Sequence, residues 1–278
     1  MIRMVRIGSK MLVYLVLAAG SIMCLLPFYW MFRSSLMTLD QIFVIPPIWI
    51  PSPIEFGNYV DALTLFPFHT YFINTLTIVV LSVLGTVLTS SLAAYSFARL
   101  SWPGRDKMFA LILTSLMLPT AATLIPTFLG WRSVGAINTF FPLILPSWFG
   151  GGAFNIFLLR QFFRTIPKEL DEAALIDGAG LFRIYTQILL PLIKPALIVV
   201  GLFAFLYHWN DFLAPIIYLN SESNYTLAIG LQQFKGQFNA QWNYMMAAAT
   251  VVILPTILVF LIGQKYFIEG ITLTGLKG

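Results

Sequence analysis

From Pro167 to Pro191 the chain reads PKELDEAALIDGAGLFRIYTQILLP. Pro167 suits a first helical turn, where its missing N–H is unpaired in any case, and Glu169, Asp171 and Glu172 favour the positive end of the helix dipole. Ala173 and Ala174 keep the middle of this helix thin enough for close approach to another surface, and Gly178 and Gly180 supply a flexible stop. Beyond the glycines, Leu181, Ile184, Tyr185, Ile188 and Leu189 fall at i, i+3, i+4, i+7 and i+8, the spacing of an amphipathic helix. Two short helices this polar do not span a bilayer. They either lie on its surface or dock in a groove of a partner.

The rest of the chain is overwhelmingly apolar. Of its 278 residues 59% are hydrophobic and only 10% are charged, where an ordinary soluble domain carries about 25% charged residues. With a mean hydropathy of +0.85, the composition excludes a soluble enzyme or binding module and predicts an all-α, polytopic membrane protein. Six stretches reach the roughly 20 residues of helix that cross a hydrocarbon core. They are 11–32, 71–98, 108–128, 139–163, 192–219 and 244–267, in a single transmembrane domain over 1–278. A loop over 164–191, an outer loop over 220–243 and a tail over 268–278 complete it. The first apolar run exceeds the roughly 15 residues of a signal peptide's apolar region, so it is read as an uncleaved span.

Thirteen of the sixteen Lys and Arg residues fall on one side of these spans, leaving Arg33, Arg132 and Lys235 on the other. The positive-inside rule then makes both termini and the 164–191 loop cytoplasmic. The basic balance reports topology and calls for no nucleic-acid partner. Two His and the single Cys24 offer neither a disulfide framework nor a metal site. The outer segment 33–70, with Pro46, Pro47, Pro51 and Pro53, reads as an ordered crossover.

Polar residues inside spans are candidates for a solute path because burying them in lipid is costly, which singles out Asn74, Trp209, Asn210 and Asp211. Ser82, Thr86, Ser90, Ala94 and Ala98 recur every four residues, a stripe that lets helices approach closely. The chain has no Gly-x-x-x-x-Gly-Lys-Ser/Thr loop to cradle a nucleotide and no Gly-x-Ser, so no catalytic residue and no ATPase site is assigned. A self-sufficient secondary transporter, the competing reading, would carry intramembrane charges for a coupling ion, and here Asp211 alone qualifies.

Glu172-Ala173-Ala174-x-x-Asp177-Gly178-Ala179, followed by Ile188-x-x-Pro191 and Pro195, resembles the EAA signature of binding-protein-dependent ABC importer permeases, in the loop before the last two spans. Tyr71-Phe72-Ile73-Asn74-Thr75, Trp209-Asn210-Asp211-Phe212 and the tail from Phe267 to Gly278 are similar to the carbohydrate subfamily, specifically the smaller second permease subunit of maltose-type importers. The resemblance implies the type I importer permease fold in a prokaryotic cytoplasmic membrane. It implies transport of a sugar or oligosaccharide by alternating access, with a glycerol-phosphate-type polyol as the alternative solute. Its implied partners are a second permease subunit, two ATP-binding cassette subunits that bind ATP and Mg, an extracytoplasmic solute-binding protein and membrane lipid, while this chain binds no cofactor itself. Glu172 would make polar contacts to the ATPase, Ala173 and Ala174 would permit close packing, and Asp177 with Gly178 would shape the turn, with Ala179 and Pro191 completing the ATPase-coupling signature. Gly275 and Lys277 would reach the ATPase interface. Gln237, Phe238 and Asn239 would sit at the tip of the loop presented to the binding protein.

Overall fold

A computed structural model describes residues 2–236 and 240–275, with side chains described for 10–236 and 240–266. Among the described residues every regular element is helical. In chain order these are α1 (Ile2–Ser35), α2 (Leu39–Ile42), α3 (Gly57–Thr64), α4 (Phe68–Arg99), α5 (Arg105–Thr114), α6 (Thr120–Ser133), α7 (Phe141–Ile144) and α8 (Ala153–Thr165). They are followed by α9 (Glu169–Ile176), α10 (Leu181–Arg183), α11 (Leu190–Leu192), α12 (Lys194–Trp209), α13 (Leu213–Tyr218), α14 (Leu227–Gln233) and α15 (Trp242–Gly275).

Segments of α1 and α15, all of α4 and the run Phe141–Thr165 are each long and apolar enough to cross a membrane. The predicted third and fifth spans differ, because they qualify only as bent pairs. The first pair, Arg105–Met117 with Thr120–Ser133, turns by 103°, and Leu181–Leu192 with Lys194–Trp209 turns by 80°. Pro119, in extended conformation, separates the first pair and cannot continue the hydrogen-bond ladder. The fifth span also stops at Trp209 rather than 219, where the Asn210 side chain donates to the Leu206 carbonyl at 2.8 Å. The predicted tail is helical as far as Gly275.

The chain divides into two compact units, Met1–Phe68 with Gly230–Leu254 and His69–Ile229 with Pro255–Gly278. In the first, residues 10–29 of α1 are all exposed, apolar surface suited to lipid or to another subunit, while the end of α1 and the turn after it, Arg33 to Met37, are buried. Asn58 holds that end. Its amide donates to the carbonyls of Ser35 and Met37 at 2.9 and 2.8 Å and accepts from Asn243 at 3.1 Å. The crossover is therefore ordered, with Tyr29 donating to the Trp49 carbonyl at 2.6 Å and Gln41 to that of Ser52 at 2.6 Å.

In the second unit the small-residue stripe of α4 is buried at Ser82, Thr86, Ser90 and Ala94. It receives the fourth span at its break. Gly150, Gly151 and Gly152 all have positive φ, at 91°, 58° and 101°, and a Cβ on Gly151 would overlap the Thr86 side chain. A Cβ on Gly85 would lie 2.6 Å from the Trp148 ring. At the other end of α4, Ala94, Tyr95 and Phe97 join Leu159 and Phe163 of α8 and the π-helical run Ile184–Leu189 in one core, in which Leu159, Phe163 and Leu189 have no exposure. An ion pair closes this core. Arg99 stands 3.4 Å from Asp171 of α9 with side-chain exposures of 3% and 18%, and it also donates to the Ile166 carbonyl at 2.7 Å.

Arg99→Gln leaves the Asp171 carboxylate without its cation at a cost of about 2 kcal/mol of local stability. Amide hydrogens of residues 169–180 are expected to exchange roughly thirtyfold faster while those in the middle of α4 are unchanged, and equal rates in both regions would refute the tie. Gly151→Ala combines positive φ with overlap against Thr86 and is expected to lower unfolding stability by about 2 kcal/mol or more. Thermal unfolding in detergent checks this against Gly20→Ala, where nothing lies within 4 Å of the new methyl group.

Candidate functional site

The stop after α9 is a closed hydrogen-bond motif. With Asp177 as the last half-helical residue, the Gly178 N–H donates to the Leu175 carbonyl at 3.0 Å and the Ala179 N–H to the Ala174 carbonyl at 2.9 Å. That is the Schellman pattern, which needs a left-handed residue just past the helix, and Gly178 supplies it at φ 80°. Ala174 is buried in the core and Ala179 packs on the same cluster, the apolar contact that accompanies this motif. Gly180, by contrast, is extended at φ −74° and ψ 160°, a conformation any residue adopts. The expected flexible stop is thus a rigid one.

The two candidate helices have different fates. The amphipathic second helix buries Ile184, Tyr185 and Leu189 against the chain's own spans, with the Tyr185 hydroxyl 2.7 Å from that of Ser91 and the Tyr95 hydroxyl donating to the Leu181 carbonyl at 3.0 Å. Neither lipid nor a partner is needed to cover that face. α9 stays exposed apart from Ala174 and partly buried Asp171: Glu172, Ala173 and Asp177 all face outward, Ile176 is 86% exposed and Phe182 beyond the stop is 71% exposed. Pro191 is exposed within α11. Acidic and apolar groups thus stand side by side on one exposed, rigid turn.

Burial pushes the Asp171 carboxyl above the ordinary carboxylate range, and Arg99 offsets this only in part. The held segment therefore binds that proton more tightly than an open one, and its stability falls as pH rises from the ordinary carboxylate value through the raised one. The partners read from sequence as topology markers, Arg99 above all, turn out to set the geometry of α9. Nothing in the sequence separates Arg99 from the other basic residues near span ends.

A second feature is a cavity of about 620 Å³ lined from α4, α8, α12 and the glycine break by residues including Thr86, Asn155, Phe203, Tyr207, His208 and Asp211. Its polar groups are positioned by local bonds: His208 Nε2 lies 3.1 Å from Ser147 Oγ, Asn155 donates to the Gly151 carbonyl at 2.6 Å, and Asp211 accepts from the Ala214 N–H at 3.2 Å. Of the four predicted path residues only Asp211 lines it. Trp209 is buried against Phe205 and Phe72, and Asn210 caps α12. Asn74 donates to the carbonyls of Ser223 and Tyr225 at 2.8 and 3.0 Å, so it pins the predicted outer loop to α4.

Asn138 completes that anchorage from the far side. In left-handed conformation at φ 63°, it accepts from the N–H groups of Asn220 and Ser221 at 2.9 Å each and donates to the Ser221 hydroxyl at 2.7 Å. Its role was invisible in the sequence, where it is one Asn among apolar neighbours. Gln237, Phe238 and Asn239 lie outside the described residues, as does Lys277, and Gly275 ends α15.

The model of the family described as binding-protein-dependent transport system inner membrane component matches residues 85–272. YurM, a probable ABC transporter permease protein of Bacillus subtilis, is 34% identical over 256 residues, covering 91% of this chain and 83% of that protein. SmoH, the sulfoquinovosyl glycerol transport system permease protein of Agrobacterium fabrum, is 32% identical over 254 residues, covering 91% and 89%. Among solved structures, a bacterial ABC transporter involved in the import of the acidic polysaccharide alginate contains a chain with a TM-score of 0.83 at 24% identity, with 93% and 96% covered. The all-α importer permease fold implied by the sequence is the fold observed. The chain belongs to the family of binding-protein-dependent transport system inner membrane components, the membrane-spanning permeases of ABC importers.

Proposed function

We propose that this chain carries a sugar or oligosaccharide across the cytoplasmic membrane of a prokaryote, paired with a second permease subunit. Two ATP-binding cassette subunits dock on α9 and drive it, and an extracytoplasmic binding protein delivers the solute at the 220–243 loop. The observation that carries the reading is the rigid, outward-facing edge of α9, in which Glu172 and Ile176 are exposed while Ala174 and Asp171 tie the helix to the spans. Force applied to such an edge reaches α4 and α12 through packed side chains rather than through a slack loop. Ala173 permits a close approach by the ATPase, and Glu172 offers it a charged hydrogen-bond acceptor. The tail with Gly275 and Lys277 is assigned to the same interface, and Gln237, Phe238 and Asn239 to the binding-protein contact.

A carbohydrate cargo is supported by the cavity beside the broken fourth span. Hydroxyl-rich solutes are bound by a few fixed polar groups next to aromatic faces, and Asn155, His208 and Asp211 stand there beside Phe154 and Phe203. The names of the sulfoquinovosyl glycerol permease and the alginate importer support the same class of cargo.

Reversing the charge at Glu172 tests the docking reading. In the reconstituted complex with its binding protein, Glu172→Arg is expected to lower solute-stimulated ATP hydrolysis and uptake at least about tenfold, because a mismatched charge at a docking edge costs several kcal/mol, while membrane insertion is unchanged. Uptake that persists without any ATPase would instead establish a self-sufficient transporter. The solute that stimulates the wild type names the cargo, and stimulation by a glycerol phosphate alone would replace sugar with a phosphorylated polyol.

A further inference from the structure

A second polar hollow, of about 460 Å³, opens where α4 ends, α5 begins and α8 ends, next to the Arg99 that ties down α9. It is lined by Arg99, Arg105, Arg160, Arg164 and Lys168 with a single acid, Asp106. Two of these cations are already neutralised. Arg99 pairs with Asp171, and Arg105 binds both carboxylate oxygens of Asp106 at 3.0 and 3.2 Å. Arg160, Arg164 and Lys168 remain, and none of them forms an ion pair among the described residues. Arg160 is nevertheless held in place: its Nε donates to the Phe97 carbonyl at 3.2 Å and its guanidinium lies 4.0 Å over the Phe109 ring. Three like charges gathered around one hollow repel each other, and an anion relieves that repulsion.

The position of the hollow selects the anion. It sits at span ends on the side that the lysine and arginine distribution makes cytoplasmic, at the depth of lipid headgroups. Trp102, a residue type concentrated at that interface, lies in the adjoining turn with its indole N–H donating to Ser96 at 3.1 Å. Along α5, immediately beside the basic rim, Met108 and Leu111 are 49% and 65% exposed, an apolar track for acyl chains. Basic hollows between spans at this level suit acidic headgroups. We propose that this hollow binds the phosphodiester headgroup of an acidic phospholipid, with Arg160, Arg164 and Lys168 around the phosphate and the acyl chains along α5. The assignment holds whatever solute the transporter carries.

The test is native mass spectrometry of the assembled transporter released from nanodiscs of equal phosphatidylglycerol and phosphatidylcholine. Wild type is expected to retain phosphatidylglycerol in preference. Arg164→Gln and Lys168→Gln, whose side chains make no hydrogen bond among the described residues, are expected to weaken retention roughly fivefold each. Asp106→Asn removes the one acid of the hollow and is expected to raise retention, a direction that damage to the fold does not produce. Equal retention of the two lipids, or of wild type and the glutamine variants, overturns the proposal. So does displacement of the lipid by millimolar inorganic phosphate, which would mark the hollow as a site for a soluble anion.

Discussion

The packing of Ile184, Tyr185 and Leu189 against the ends of α4 and α8 is the interaction on which the arrangement of the 164–191 segment depends. These side chains are almost wholly withdrawn from solvent, so the π-helical run belongs to the same core as the spans. A π-helical insertion shifts the helix face by a fraction of a turn, which lets Tyr185 reach Ser91 while Leu189 still faces inward. With the second helix fixed, the Schellman turn and the Arg99–Asp171 pair leave α9 one place to go. Its acidic and apolar edge then projects from a body that moves with it.

Broken spans follow from a different constraint. Inside a bilayer every backbone polar group needs a partner, so a helix interrupts itself only where protein covers the gap. The glycine run 150–152 meets this by lying against the small-residue stripe of α4, close enough that a methyl group on Gly151 would collide with Thr86. The interruption also exposes polar groups of Asn155 and Ser147 to the cavity, so one packing device both breaks the span and furnishes its polar lining.

Much of this was legible in the sequence because the signals are local. Spans declare themselves through length and apolarity, the stripe through a period of four, and the α9 stop through Gly178, although Gly180, read as part of the same stop, is extended. The bends in the third and fifth spans were flanked by Pro119 and Pro195, yet a proline alone does not say whether a helix kinks or turns back on itself. Asn74 and Trp209 read as path residues because polar and aromatic groups in spans suggest function; their contacts, which anchor a loop and fill a core, lie too far along the chain to be read from it. Arg99 and Asn138 were unreadable for a related reason, since each acts through partners 67 or more residues away.

The closed turn after α9 also bears on the thermodynamics of assembly. A loop that must become ordered on binding surrenders backbone entropy at about 1–2 kcal/mol per residue. Here Gly178 and Ala179 have already made their hydrogen bonds, and Ala174 is already buried, before any partner arrives. A partner docking on α9, as proposed, would draw its free energy of association from the exposed side chains with little deducted for ordering, and the contact could separate and re-form without refolding.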